Sequence, residues 1–214
     1  MQNFTEEIKY ELTSVQLSDE CCKRAALSAF IRTSGSVVSR NGKFGFEIVT
    51  ENEGTAEYIS DMLESSFGLH LTVSGAKFDV LSGRDKLTFE CVGDDAQKLL
   101  VSLGIVSINS DGAYLNFGID EKVIEKDCCK IAYIKGAFLG GGSCTLPDED
   151  ALSRTGYHFE IVFSNKVAAS DFCELLCGFE ILAKLVSRKD CAVVYVKSKE
   201  VISDILNVIS AEKC

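Results

Sequence analysis

Two stretches of this chain repeat one pattern: CCKRAALSAFIRTSGS runs from Cys21 to Ser36, and CCKIAYIKGAFLGGGS runs from Cys128 to Ser143. The second begins 107 residues after the first in a chain of 214. A repeat at half the chain length means two copies of one supersecondary unit, each needing a neighbour to cover its apolar face.

Each copy opens as a helix. The first is predicted from Ser18 to Thr33, with Ser18 or Asp19 as N-cap, Gly35 as the stop, and Ala26, Ala29, Phe30 and Thr33 at helical spacing. Beyond Gly35 the period changes to two. Val37-Val38 leads through Arg40-Asn41-Gly42-Lys43, a hairpin turn signal, into the strand Phe44 to Thr50. In the second copy Ser143-Cys144-Thr145 leads through a longer polar loop into Tyr157 to Phe163. The shared tetrapeptide FEIV, at Phe46 and again at Phe159, has an offset of 113, which places an insertion of six residues around Pro147 to Asp150.

The correspondence continues through helices Thr55 to Phe67 and Val167 to Cys177, then hairpins Leu69–Val73 with Leu87–Val92 and Ala183–Val186 with Ala192–Val196. Closing helices are expected at Asp94 to Leu103 and Lys199 to Ile209. Each half therefore reads αββαββα. A short amphipathic helix, Thr5 to Leu12, precedes them, and Ser107 to Asp127 is a linker with one apolar stretch, Ala113-Tyr114-Leu115. The expected organisation is 1–106 for the first helix and first half, 107–127 for the linker and 128–214 for the second half. The two halves pack as one pseudo-symmetric α+β domain, because neither hides its own sheet.

The motif helices carry small residues where two backbones would meet: Ser28, Ala29 and Thr33 in the first, Gly136, Gly140 and Gly141 in the second. Each helical glycine costs about 1 kcal/mol relative to alanine, and close helix packing offsets that cost. A phosphate-binding glycine loop fits less well, since Gly140-Gly141-Gly142 closes a helix rather than opening one.

Composition narrows the function classes. The formal charge of −10 weighs against a generic grip on nucleic acid while leaving room for a local basic face. The N-terminus MQNFTEEIKYEL is charged and unlike a signal peptide, and no long apolar run suggests a membrane span, so a soluble cytoplasmic protein is expected. The ten cysteines then read as reduced thiols. No CxxC pair is present, Cys173 and Cys177 share a helix face without a nearby histidine, and His70 and His158 fall in strand-like segments. Neither a cofactor nor a metal is expected, and the doubled Cys21-Cys22 and Cys128-Cys129 read as pairs with one member packed into the helix interface.

A duplicated helix ending in small residues, followed by two hairpins and two helices, resembles the LAGLIDADG homing endonucleases. More specifically, CCKRAALSAFIRTSGS, the second CCK with GAFLGGGS, the opening NFTEEIKYEL and YHFEIVFSN resemble the N-terminal part of the bacterial WhiA family. The resemblance implies a degenerate endonuclease fold joined to a C-terminal helix-turn-helix, in a DNA-binding transcription regulator of sporulation, cell division and chromosome segregation that is nucleoid-associated. In a working nuclease each motif helix ends in an acid before glycine, so that two carboxylates hold a divalent cation. Here Ser34 precedes Gly35 and Gly141 precedes Gly142, so the resemblance implies a non-enzyme with no catalytic residues. Glu47 and Glu160 are equivalent under the repeat but fit the solvated face of a half-buried sheet.

The chain stops at Ala211-Glu212-Lys213-Cys214 with no helix-turn-helix following, so most sequence reading of DNA is expected outside it. Within it, the hairpins offer Arg40, Lys43, Lys77, Arg84, Lys86, Arg154, Lys184, Arg188, Lys189 and Lys197 to phosphates. These basic residues are interleaved with Glu47, Asp79, Asp85, Glu90 and Asp190, which leaves a plain mixed-charge surface as the alternative. A module binding a protein or small ligand, without DNA contact, is the reading from a different class.

Overall fold

The repeat becomes two four-stranded antiparallel sheets of identical order flanking one pair of helices. In this computed structural model residues 4–79, 84–147 and 156–210 are described. The chain opens with α1 (Phe4–Thr13) and the first motif helix α2 (Glu20–Ser34), then β1 (Gly35–Arg40), β2 (Lys43–Thr50) and α3 (Glu53–Phe67). β3 (Thr72–Asp79), β4 (Arg84–Val92) and α4 (Asp94–Ser102) complete the first half. After β5 (Val106–Asn109), β6 (Gly112–Leu115) and a short 3₁₀ turn (Glu121–Ile124), the second half runs through α5 (Asp127–Gly141), β7 (Gly142–Thr145) and β8 (His158–Phe163). It ends with α6 (Lys166–Cys177), β9 (Lys184–Ser187), β10 (Ala192–Val196) and α7 (Lys199–Ser210). Sheet orders are β1-β2-β4-β3 and β7-β8-β10-β9. This is the predicted α+β, LAGLIDADG-like architecture.

Local chemistry repeats with the topology. Asn41 (φ 51°) and Gly42 (φ 78°) form the turn between β1 and β2, where both residues need positive φ. Asn52 caps α3 by accepting from the Thr55 N–H at 2.7 Å, and its counterpart Asn165 caps α6 by accepting from Val167 N–H at 2.7 Å. Strand alternation aims Phe46 and Ile48 of β2, and Phe159, Ile161 and Phe163 of β8, into the protein, where all are buried. These residues and the inner faces of α2 and α5 belong to one continuous apolar core, so the halves share what neither could bury alone.

The α2/α5 pair is the most extensive contact between helices. At Gly136 an added Cβ would overlap the backbone of Ala26, and at Gly140 it would overlap the Thr33 hydroxyl and lie 3.0 Å from the Phe30 carbonyl. At Gly141 it would stand 2.5 Å from the Val162 carbonyl and 3.0 Å from the Thr33 Cβ. The helices are thus in backbone contact. All the glycines lie on α5, while α2 meets them with Ala26, Phe30, Thr33 and Ser34.

Two elements differ from the sequence expectation. β3 starts at Thr72 rather than Leu69, because Gly68 (φ 63°) ends α3 in a left-handed turn and Leu69 N–H returns to the Leu63 carbonyl at 3.2 Å. Leu69 is therefore buried as the apolar partner of the helix cap, and His70 lies in the segment between α3 and β3 rather than in a strand. The linker contains the β5/β6 hairpin, folded about Asn109 and Gly112, and the apolar stretch Ala113-Tyr114-Leu115 forms its second strand. Gly35 stops α2 as expected, in extended backbone: at φ −128° and ψ 179° it begins β1, and a Cβ there would lie 2.7 Å from the Glu47 carbonyl.

Arg32 locks the linker to the axis. Its buried guanidinium donates to the carbonyls of Asn116 (2.8 Å), Gly104 (3.0 Å) and Phe117 (3.3 Å). Desolvation by burial lowers its pKa from the ordinary arginine value, and the carbonyl cluster is what makes the buried charge tolerable. Nearby, Ser28 donates to the Leu103 carbonyl at 2.8 Å, so this small residue also ties α2 to the end of α4.

Candidate functional site at the paired motif helices

The C-terminal ends of α2 and α5 are where the family resemblance places catalytic acids. The structure puts Ser34 there with its hydroxyl donating to the Phe30 carbonyl at 2.9 Å, and Gly141 packed on Thr33 and Val162. Neither side supplies a carboxylate. A cavity of about 470 Å³ opens over this end, lined by Thr33, Ser34 and Gly140 together with Thr5, Glu6 and Glu51. Its acids are engaged: Glu51 pairs with Lys86 at 3.0 Å, and Glu6 accepts from the Asn52 amide at 2.5 Å. Sequence reasoning missed Glu6 and Glu51, since α1 and the end of β2 meet only in the folded chain. Helix α1 reaches across the axis to the second half: Thr5 Oγ1 accepts from Cys144 N–H at 2.9 Å and donates to the Cys144 carbonyl at 3.1 Å.

Glu47 and Glu160 each sit on the outer face of a sheet and are held within their own half. Glu47 lies opposite both Ser36 and Glu90, and Arg40 bridges the two acids at 3.7 Å from Glu47 and 3.4 Å from Glu90. Glu160 pairs with His158 at 2.9 Å. Facing carboxylates on neighbouring strands repel, and the guanidinium between Glu47 and Glu90 offsets that repulsion.

The basic residues proposed for phosphate contact fall into separate groups. On the first sheet Lys43 reaches Asp94 at 3.7 Å, Lys77 is exposed opposite Lys86, and Arg84 occupies the first position of β4. On the second, Lys184, Arg188, Lys189 and Lys197 are exposed around the β9/β10 hairpin, with the Lys197 ammonium 5.7 Å from the Tyr195 ring centroid. Arg154 lies outside the described residues. Arg40, Lys43 and Lys86 thus face acids, while the β9/β10 hairpin gathers cations with Asp190 among them.

The N-terminal ends of the same helices hold a different chemistry. Cys21, Cys22, Cys128 and Cys129 converge there, their sulfurs all within 4.8 Å of one another. Cys22 and Cys129 are buried and Cys21 and Cys128 half-buried, all present as thiols. Burial, with the neighbouring sulfurs of Cys21 and Cys128, pushes the Cys129 thiol up to about 12. Among the described residues this is the one group of His, Cys, Asp or Glu placed to share a metal ion. The second candidate cysteine pair behaves otherwise: Cys173 is half-buried on α6 and Cys177 exposed.

Comparison with known proteins agrees with this geometry. The family model described as the WhiA N-terminal LAGLIDADG-like domain matches residues 20–106, and that described as the WhiA LAGLIDADG-like domain matches residues 130–214. The chain is 32% identical over 209 residues to the "Probable cell division protein WhiA" of Clostridium botulinum strain Hall, covering 92% of this chain and 64% of that protein. It therefore spans less than two thirds of that relative's length. Its fold matches the crystal structure of the N-terminal LAGLIDADG domain of DUF199/WhiA with a TM-score of 0.73 at 17% identity, over 100% of this chain and 93% of the other. It also matches I-DmoI in complex with DNA and Mn, with a TM-score of 0.56 at 14% identity, over 91% of this chain and 100% of that one. Among the described residues no helix is long and apolar enough to cross a membrane. With both of its repeats matched by the family's two domain models, the chain belongs to the WhiA family.

Proposed function

We propose that this chain is the non-cutting, LAGLIDADG-like platform of a bacterial DNA-binding transcription regulator that acts in cell division, sporulation and chromosome segregation. The observation that carries this reading is the contrast along one helix pair: the small-residue seam is intact, while Ser34 and Gly141 stand where the nuclease pattern requires acids. Without anionic ligands a hard divalent cation has nothing to hold it beside a scissile phosphate. The remaining acids of the cavity, Glu6 and Glu51, are committed to Asn52 and Lys86. Residues 1–106 and 128–214 serve as the two halves of the platform, with 107–127 joining them.

DNA contact by this platform is auxiliary and salt-sensitive, led by Lys184, Arg188, Lys189 and Lys197, and sequence is read by the helix-turn-helix that the family carries. Incubating the chain with duplex DNA and Mg²⁺ or Mn²⁺ tests the first part. No cleavage is expected, and cleavage abolished by Glu47→Gln or Glu160→Gln would refute it. Ser34→Asp with Gly141→Asp is expected to leave the protein inactive, because the space at Gly141 is filled by Thr33 and the Val162 carbonyl.

A protein partner is a second reading, favoured by the linker hairpin region, where Ile108, Tyr114, Leu115 and Phe117 are all exposed. Substituting these four with serine would abolish capture of such a partner while leaving DNA affinity unchanged.

A further inference from the structure

We propose that Cys21, Cys22, Cys128 and Cys129 are the four ligands of one structural zinc ion that joins the two halves across the pseudo-twofold axis. Zinc bound by four thiolates is tetrahedral with Zn–S bonds of about 2.3 Å, which places the sulfurs about 3.8 Å apart. The four sulfurs already lie within 4.8 Å of one another, so side-chain torsions need to draw no pair together by more than about 1 Å. A tetrahedron has a twofold axis that exchanges its vertices in pairs. Each adjacent cysteine pair supplies one edge, and the repeat supplies the symmetry.

The donor set selects the ion. Four sulfurs with no oxygen ligand suit a thiophilic d¹⁰ cation and not Mg²⁺ or Ca²⁺, and four protein ligands leave no open position, which marks a structural site.

The surroundings favour the charge that results. Zinc with four thiolates carries two negative charges, and the cysteines occupy the first turns of α2 and α5, where each helix presents about half a positive charge. The N-cap residues Asp19 and Lys126 make no side-chain capping bond, so neither cap competes with the sulfurs for the first-turn N–H groups. Cys21 also lines a cavity of about 480 Å³ with Arg24 and Asn116, which gives an ion a path to the otherwise buried cluster. Zn²⁺ enters as the hydrated ion, the thiol protons leave to solvent, and four Zn–S bonds form without change of oxidation state.

The full chain, purified with a phosphine reductant and passed over a desalting column, is analysed for zinc and for thiols, and apo protein is titrated with Co²⁺. The expected result is one zinc per chain and, with Co²⁺, thiolate charge-transfer bands with the intense visible bands of a tetrahedral site. Cys22→Ser and Cys129→Ser should lose both signals, and Cys21→Ser and Cys128→Ser serve as less buried substitutions in case the first two do not fold. Cys177→Ser and Cys191→Ser should retain full metal. Chelation should lower the thermal midpoint of the parent chain and of these two controls, but not of a cluster variant that folds by circular dichroism. Reduced parent protein that binds no zinc and gives no tetrahedral Co²⁺ spectrum would overturn the proposal. So would zinc retained at full stoichiometry when both buried cysteines are replaced, or a disulfide between the halves as the stable state under metal-replete conditions.

Discussion

The two ends of the α2/α5 pair share one seam and differ in everything attached to it. At the C-terminal end the axis meets Ser34 and Gly141, and the surrounding structure is held by hydrogen bonds: Thr5 to Cys144, and Arg32 to three carbonyls. At the N-terminal end the axis meets four thiols. A pseudo-twofold axis doubles whatever residue lies beside it, so a single position in the repeat brings two like groups together. Two carboxylates make a cation site, two serine or glycine positions make none, and two cysteine pairs make a sulfur cluster. Close packing, not ligands, holds the helices together at the end that carries no carboxylate.

The largest test breaks the seam under both ends. Gly136→Val places two further methyl groups as well as a Cβ into the Ala26 backbone, and it should cost more than about 3 kcal/mol, with loss of cooperative unfolding by circular dichroism. A stable Gly136→Val protein would mean that the halves associate some other way.

The seam was legible because the repeat aligned Ala29 with Gly136 and Thr33 with Gly140. The hairpin at Asn41-Gly42 and the strand alternation at FEIV were also readable locally, since turn chemistry and period two act between neighbours. The sulfur cluster was not. Each cysteine pair alone resembles two core residues, and the convergence depends on which helix ends meet across about half the chain. The same holds for the C-terminal cavity, where Glu6 and Glu51 come from elements 45 positions apart, and for the linker, whose hairpin is anchored by Arg32 from another element. The basic candidates and the acids interleaved with them were legible as residue types, but the pairings were not: Arg40 meets Glu47 and Glu90 only once strand register is set.

Next in size is a change confined to the C-terminal end. Arg32→Met keeps much of the side-chain volume but removes the donor from the Asn116 and Phe117 carbonyls and leaves Gly104 with the Asn116 amide alone, and it should cost about 3 kcal/mol in urea unfolding. Zinc retention should be unchanged, because the cluster lies at the other end of α2. Loss of zinc along with stability would show the two ends to be coupled through the helix.

A milder version removes one tether. Thr5→Val deletes the hydroxyl that both donates to and accepts from the backbone of Cys144, and it should destabilise the protein by about 1 kcal/mol. The burial that Thr5 and α1 help provide also pushes the Cys144 thiol up to about 11, which keeps it protonated at neutral pH. Alkylation at pH 8 should therefore be slow in the parent and faster in Thr5→Val, while exposed Cys177 reacts at once in both. An unchanged rate at Cys144 would mean that α1 does not guard this end.

The smallest effect concerns the outer sheet face. Glu47→Gln with Glu90→Gln removes the two acids that hold Arg40, leaving its guanidinium available to a phosphate and making the local charge more positive by two. Affinity for duplex DNA at low salt should rise by roughly threefold to tenfold, with a steeper salt dependence. The second sheet needs no such release, because Lys184 and Lys197 flank Tyr195 on the exposed side of β10 and its hairpin. Replacing both with alanine should weaken the same DNA binding. If the two pairs of substitutions act with equal size and opposite sign, the halves contact DNA alike despite their different charges. If only the lysine substitutions matter, the duplicated sheets have diverged as the two helix ends have, and the second half carries what DNA contact the platform makes.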